Sequence, residues 1–577
     1  MSEKLTGYPS IDKPWLKYYS DEAINAPLPE CSIYEYLYRS NKEYPNDRAL
    51  NYFNRIISYK ELFELIDKTA QAFLSFGVKE GDIVTVALPS IPEVVYAVYA
   101  LNKIGAVANM IHPLAGENEL INYFNEVNSK VAVIFDGTYK IVKDSLDKTS
   151  LKHIIVVSAS DSLPTVIKTL YLLKNKRVNI KDNNKLIDWK SFIRHGVSCN
   201  LFETNRKINE VAIISHTGGT TGEPKGVMCS DKNVNALTWQ IGALLTHSRQ
   251  NKCLVVLPPF VNYSLVDGIL GPLTLGIEVI LIPDYKPEKI IEYCKKYSPN
   301  IISSIPAYWE ALLSIDNVLE QDLSCLEHVF SGGEAMDAEK EKAINNILLS
   351  CGAKRKLSMG LGCTEVVSAA TFTHEDSTTV GSVGIPMVKV NCKIVEPMTK
   401  KEVPLGEEGE ICFAGPTVMI GYYQNKKATD DVIKIHSDGE RWIHTGDLGK
   451  LNENGELFVT GRIKRIIMTK GEDKQVTKIF PDRVESVINS NEAVKICCVI
   501  GVPDKERINY PKAFIILNEG IAPDNSVKND VLFFCKKHLP EYMIPTEIEF
   551  LKDFPRTARG KIDYRTLEKQ AEELNNH

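Results

Sequence analysis

Thr217-Gly218-Gly219-Thr220-Thr221-Gly222-Glu223-Pro224-Lys225-Gly226 sets four glycines, three threonines and a lysine within ten residues. The apolar run Val211-Ala212-Ile213-Ile214 leads into it and reads as a buried strand. Glycines let backbone N–H groups turn toward an anion without steric cost. The threonine hydroxyls add donors and Lys225 adds a positive charge. A strand running into such a loop suits a polyphosphate, so the chain is expected to handle a nucleoside triphosphate. The loop is not a Walker A motif, which needs Gly-Lys-Ser/Thr opening a helix. Here Pro224 precedes the lysine and Gly226-Val227 follow it.

Outward from the loop, strand and helix signals alternate. Ser58 and Glu61 form a capping-box pattern, and Leu62, Ile66, Ala70, Phe73 and Leu74 continue a helical stripe that Gly77 can close. Ile83 to Leu88 reads as a strand stopped by Pro89, and Ala97 to Ile104 as a helix. Val131 to Phe135, Ile154 to Val157, Leu254 to Leu257, Val279 to Ile282 and Ile301 to Ser303 are further strands. This alternation predicts an α/β fold with a largely parallel sheet. From about Val383 short strands with Gly/Asn/Glu turns indicate a β-rich subdomain, with Asn452-Glu453-Asn454-Gly455 as a hairpin turn. Gly461 to Arg465 is short and charged, a hinge candidate. Beyond it, strands at Val494 to Val502 and Ala513 to Leu517 and a helix at Val531 to His538 predict a small α+β domain. The expected division is 1–463 and 464–577.

At 577 residues the chain is too long for one compact core. A net charge of −6 leaves no basic footprint for nucleic acid, so an anionic cofactor must be held by local groups. The 13 cysteines contain no Cys-x-x-Cys pair, and a reducing, cytoplasmic setting is expected. No apolar run reaches the roughly 20 residues needed to span a bilayer. Thr169 to Leu173, flanked by lysines, could touch a membrane but reads better as one face of a surface helix.

The segment TGGTTGEPKGV resembles the phosphate loop of the acyl-adenylate-forming superfamily, the acyl-CoA synthetases, adenylation domains and luciferases. Four other segments follow in that family's order, so the resemblance spans Ser58 to Lys561. Phe330-Ser331-Gly332-Gly333-Glu334-Ala335 resembles the stretch that lines the adenine. In Gly360-Leu361-Gly362-Cys363-Thr364-Glu365 the resemblance implies that Thr364 binds a phosphate oxygen and Glu365 holds Mg2+. A hard cation favours a carboxylate plus phosphates. Leu361 stands where the family usually has tyrosine; it can pack on adenine but offers no ring face. Asp447 in His444-Thr445-Gly446-Asp447 suits a ribose diol, and Arg462 offers donors to ribose or phosphate. Lys464 takes the family's hinge position. Pro555-Arg556-Thr557-Ala558-Arg559-Gly560-Lys561 resembles the catalytic-lysine segment, with Lys561 meeting the reacting oxygens.

The implied chemistry is attack of a carboxylic acid on the α-phosphate of Mg-ATP, releasing pyrophosphate, then thiol attack on the acyl-AMP. Catalysis would rest on positioning and charge neutralisation. The C-terminal domain would rotate about Lys464, removing Lys561 and bringing Gly471 and Glu472 to the CoA channel. The loop from Gly471 to Pro481 is about five residues longer than the family pattern. In Pro258-Pro259-Phe260-Val261-Asn262-Tyr263-Ser264, Val261 replaces the usual histidine, and Asn262 and Ser264 offer no charge for an amino acid's α-amine. Tyr308 and Trp309 are pocket or core candidates. The leading expectation is an acid–CoA ligase for a fatty or other organic acid, using ATP, Mg2+ and CoA. The longer Gly471 loop keeps open an acyl-AMP ligase that loads a carrier protein. Leu361 and Val261 alone support a catalytically impaired nucleotide-binding protein.

Overall fold

The computed structural model describes all residues except 1–4, 175–179, 181–184, 197–199, 201–203, 218–223, 376–378, 471–475, 505, 557–561 and 576–577. Two large sheets form the frame. The first runs, across its width, Gly421–Tyr422, Gly226–Ser230, Val211–His216, Val107–Met110, Ile83–Ala87, Val131–Phe135, His153–Val157 and Leu186–Asp188. It is parallel from Val211–His216 outward, with two antiparallel strands at the opposite edge. The second runs Ser358–Gly360, His328–Gly332, Ile301–Ser304, Lys252–Val255, Glu278–Leu281, Arg48–Tyr52 and Arg55–Ser58, parallel except for its terminal hairpin. Strands buried on both faces explain the continuous Val/Ile runs of the sequence. One apolar core joins both sheets, from Leu50 and Val279 in the second to Val86 and Ile213 in the first.

Local chemistry sets the helices between these strands. Ser58 caps Tyr59–Ser75, its hydroxyl accepting from the Glu61 N–H at 3.2 Å. The expected capping box is only half made, because the Glu61 carboxylate pairs with Arg55 at 3.1 Å. Leu62, Ile66, Ala70 and Phe73 are buried along the expected stripe, and Gly77 follows at φ +78°. The next helix is Pro92–Lys103, several residues longer at its start than the sequence suggests. Pro92 at the first turn is pre-shaped for helix entry. Every residue from Pro92 to Asn102 is buried, so no polar face marked the early turns. Thr165–Lys174 is a helix with Val166, Leu170 and Leu173 exposed.

The β-rich part is an antiparallel sheet of Asn391–Val395, Gly409–Ala414, Arg441–Leu451 and Ile433–Ile435, with Leu457–Arg462 also paired to the long strand. Beyond it lies a smaller unit. Val494–Asp504 and Ile508–Leu517 form a long hairpin joined by the parallel strand Glu547–Phe550, and helices Pro481–Asn489, Asn525–His538 and Tyr564–Asn575 complete it. Its apolar clusters draw only on residues from Ile467 onward. The fold is thus mixed α/β, with a large N-terminal domain and a small C-terminal domain. Among the described residues, no helix is long and apolar enough to cross a membrane.

Candidate active site

A cavity of about 1140 Å³ opens where the two large sheets, the antiparallel sheet and the C-terminal domain meet. The ends of the parallel strands point into it, the usual place for ligands in open α/β sheets.

At one end, the strand Val211–His216 delivers Thr217. The Thr217 N–H donates to Lys225 O at 3.0 Å, and the Lys225 N–H donates to Thr217 Oγ1 at 3.2 Å, so the loop is cinched at its base. Gly218, Gly219, Thr220, Thr221 and Gly222 lie outside the described residues. Lys225 Nζ sits 4.7 Å from the centre of the Tyr422 ring. Tyr422 Oη donates to Glu365 Oε1 at 2.6 Å. Burial, then the Glu365 charge, push the Tyr422 phenol well above its ordinary value, so it stays a donor. Cation, ring and carboxylate thus form one stack, and Tyr422 is a site residue that motif reading missed. Its signal was the apolar-aromatic edge strand Gly421–Tyr422, paired with Met228 and Val227 just after the loop lysine.

Thr364 and Glu365 lie on a single 3-10 turn, Thr364–Val366. The Met419 N–H donates to Glu365 O at 2.9 Å and fixes that turn from the opposite wall. Val367 follows at φ 69°, ψ −59°. A β-branched residue there is strained, and such strain clusters at functional sites. Before the turn, a Cβ on Gly362 would lie 1.8 Å from Ser368 O, so only glycine admits this fold-back.

Gly332 ends the strand next to the sheet edge, beside Gly360 of the edge strand, and Gly333 follows at φ +83°. Both line the cavity with Glu334, Gly362 and Leu361. Leu361 packs against the main core, its N–H donating to Thr371 Oγ1 at 3.0 Å. It offers a held apolar surface to the cavity.

Asp447 and Arg462 are cross-strand partners, joined from Arg462 Nε to Asp447 Oδ1 at 2.8 Å. The Asp447 side chain is 10% exposed and Arg462 54%, so the pair is a cavity rim with a buried acid. A hidden network sets its position. Glu410 accepts from Gly446 N–H at 3.1 Å and contacts His444 Nδ1 at 2.8 Å. His444 Nε2 meets His436 Nε2 at 3.0 Å. Burial first, and then Lys393, depress His436 to about 4, so that ring is neutral at physiological pH. Glu410, Cys412 and His444 bring candidate metal-ligand atoms within 4.8 Å of one another. Both Glu410 oxygens are already engaged, which makes the cluster a support for the Thr445–Asp447 turn.

From the C-terminal domain side, Arg465 and Tyr564 reach the cavity. Arg465 is held by Asp482 at 2.7 Å and Glu485 at 2.5 Å, with its guanidinium 5.4 Å from the Tyr564 ring. Lys464 lies on the 3-10 turn Ile463–Arg465. Lys561, Gly471 and Glu472 lie outside the described residues. Arg556 and Ile562 form an antiparallel bridge around the 557–561 segment.

Another end is lined by Phe260, Val261, Tyr263, Ile305 and Tyr308. The Phe260 ring lies 4.4 Å from His112, and Tyr308 stacks on Tyr285 at 5.2 Å. Trp309 belongs to the core instead. It is 1% exposed and its indole N–H donates to Phe330 O at 2.9 Å. Asn262 also lines the cavity, with its Oδ1 accepting from Ser215 Oγ.

The fold and this site define a nucleotide-handling α/β enzyme closed by a small second domain. The profile of the AMP-binding enzyme family matches residues 37–423, and that of the AMP-binding enzyme C-terminal domain matches 483–561. The chain belongs to this family, the acyl-adenylate-forming superfamily, and is an enzyme of the ligase class. It is 29% identical over 576 residues to a long-chain-fatty-acid–CoA ligase of Bacillus subtilis (strain 168), covering 98% of this chain and 99% of that one. It is 26% identical over 552 residues to a probable 4-coumarate–CoA ligase of Dictyostelium discoideum, covering 94% and 96%. Among solved structures, the anthranilate CoA ligase AuaEII with anthranoyl-AMP superposes with a TM-score of 0.79 at 22% identity, covering 96% and 100%. ATP-bound MatB from Rhodopseudomonas palustris gives 0.80 at 21%, covering 94% and 100%.

Proposed function

We propose that the protein is an ATP-dependent carboxylic acid–CoA ligase, forming acyl-AMP and pyrophosphate and then acyl-CoA and AMP. The observation that carries this reading is one cavity with three chemically distinct ends. Lys225, Tyr422 and Glu365 make a phosphate and cation end. Asp447 and Arg462 make a polar ribose end. Phe260, Val261 and Tyr308 make a largely apolar acyl end.

Gly218 to Gly222 with Lys225 hold the β- and γ-phosphates in this reading. Thr364 binds a phosphate oxygen. Glu365 suits Mg2+, because one carboxylate oxygen takes the Tyr422 hydroxyl and the other is left for a cation. Mg2+ there would neutralise phosphate charge. Lys561 meets the carboxylate and α-phosphate oxygens during adenylation. Domains 1–463 and 464–577 rotate about Lys464, and Gly471 and Glu472 then serve the CoA channel. The absence of paired cysteines among the described residues favours a reducing, cytoplasmic setting.

The test is pyrophosphate and AMP release from Mg-ATP across a panel of acids, with and without CoA. Acid-dependent pyrophosphate release with AMP turnover only when CoA is present supports the ligase. Release that CoA does not accelerate, but a holo-carrier protein does, replaces it with a carrier-loading acyl-AMP ligase. No release with any acid overturns both.

A further inference from the structure

The strand that enters the glycine-rich loop is gripped from both faces at its last two residues. Side chains alternate across a strand, and Ser215 and His216 point to opposite sides of Val211–His216. On one side Ser215 Oγ donates to Asn262 Oδ1. On the other, His216 Nε2 lies 3.1 Å from Glu126 Oε2, and His216 Nδ1 lies 3.3 Å from Met110 O. Asn262 and Glu126 both line the cavity. The His216 side chain is 2% exposed and that of Glu126 33%.

The helix Glu117–Glu126 supplies the grip on the His216 side. Glu126 is its last residue. Tyr123 stands about one turn earlier on the same face, and its ring centre lies 4.4 Å from that of the imidazole. Tyr123 Oη donates to Glu119 Oε1 at 2.8 Å. His216 is also the cross-strand partner of Gly226. A Cβ on Gly226 would lie 3.5 Å from His216 Nε2. The imidazole therefore meets both ends of the loop: it precedes Thr217 in the chain and faces the glycine that follows Lys225.

An apolar contact would hold this strand against this helix without burying polar groups, which cost free energy unless they are paired. A polar pair adds direction. With an oxygen opposite each ring nitrogen, turning the imidazole breaks a contact. The cinch between Thr217 and Lys225 inherits the position so fixed. A loop that binds an anion works best when its donors are held in place before the anion arrives.

We propose that His216 and Glu126 are positioning residues for the triphosphate of ATP, fixing the two ends of the Thr217–Lys225 loop. The inference rests on the acid–ligase reading and extends it to a pair that lies outside the segments read as motifs. Neither residue touches phosphate in this role; both act through Thr217 and Lys225.

The experiment titrates the full-length protein with Mg2+ and α,β-methylene-ATP, whose α–β bridge is not cleaved, in a calorimeter. Beside it, KM for Mg-ATP and for an accepted acid is read from pyrophosphate release. His216→Phe keeps a ring against Tyr123 and removes both nitrogens. Glu126→Leu removes the carboxylate, and Glu126→Gln keeps a hydrogen-bonding amide. His216→Phe and Glu126→Leu should each weaken the analogue and raise KM for Mg-ATP by about tenfold, with KM for the acid unmoved. The double variant should be no worse than the weaker single, since the two residues act as one brace. Glu126→Gln should keep most of the affinity that Glu126→Leu loses. Unchanged affinity in both single variants would overturn the inference, as would losses that add in the double variant. A lowered melting temperature with equal rises in both KM values would make the pair structural only and overturn it as well. No pyrophosphate release with any acid overturns the ligase reading, while the titration still supports or overturns the pair's role in nucleotide binding.

Discussion

Tyr422→Phe removes one oxygen from the phosphate end and keeps the ring beneath Lys225. The lost contact is the 2.6 Å bond from Tyr422 Oη to Glu365 Oε1. A hydrogen bond to a charged group is worth about 1.5–3 kcal/mol, and tenfold in rate or affinity corresponds to about 1.4 kcal/mol. The expected loss in kcat/KM for Mg-ATP is therefore about 10- to 100-fold. The same range is typical when a group orienting a metal ligand is removed. Because the bond holds the carboxylate proposed to carry Mg2+, the half-saturating Mg2+ concentration should rise. The Lys225 cation keeps its ring partner 4.7 Å away, so the protein's melting temperature should change little. Pyrophosphate release measured over a Mg2+ titration, beside thermal denaturation, reads both effects. Unchanged Mg2+ dependence with unchanged kcat/KM would refute the idea that Tyr422 orients the metal-binding carboxylate. An equal loss at all Mg2+ concentrations with a lowered melting temperature would make the bond structural only.

Lys561→Ala should depress adenylation by about 10²- to 10³-fold, the usual loss of one preorganised donor, while thiolysis of supplied acyl-AMP changes less; equal loss in both half-reactions contradicts its role. Gly362→Ala forces a Cβ to within 1.8 Å of Ser368 O; overpacking of this kind costs about 1–3 kcal/mol, and an unaltered melting temperature and turnover would show that the fold-back is not required. Glu410→Ala should raise KM for ATP more than it lowers stability, because it frees Gly446 and His444 beside Asp447; a stability loss without any KM change would count against it. Glu93 is buried against Ser162, and burial raises its carboxyl to about 7. Its raised pKa means that the folded state holds the proton longer than the unfolded one. The resulting penalty is absent below about 4.5, grows as pH rises and is complete above about 7. Glu93→Gln should therefore lose less melting temperature than the wild type between pH 5 and pH 8, and parallel declines would sink the assignment.

The parallel frame was legible because its strands are buried on both faces and read as unbroken Val/Ile runs, as at Val131–Phe135. Helix starts were less so. Pro92–Lys103 is buried all round, so periodicity carried no information about its first turns. Of the site, Asp447 and Arg462 were legible as a motif, and their register pairing brings them together. Tyr422 and Glu410 were not, since each reaches the site through strand pairing between segments remote in sequence. Trp309 shows the opposite limit. An aromatic beside a pocket segment reads equally as lining or core until its indole N–H is found bonded to Phe330 O.

The account's central claim is that the acid is activated through its own oxygen on the α-phosphate. Supplying an accepted acid labelled with ¹⁸O in its carboxylate, with Mg-ATP and CoA, tests this most directly. Mass spectrometry of the products should find one labelled oxygen in AMP and none in pyrophosphate, because the carboxylate oxygen attacks phosphorus and stays with AMP when the thiol takes the acyl group. Unlabelled AMP beside product, or label carried into inorganic phosphate with ADP, would contradict the acyl-adenylate route.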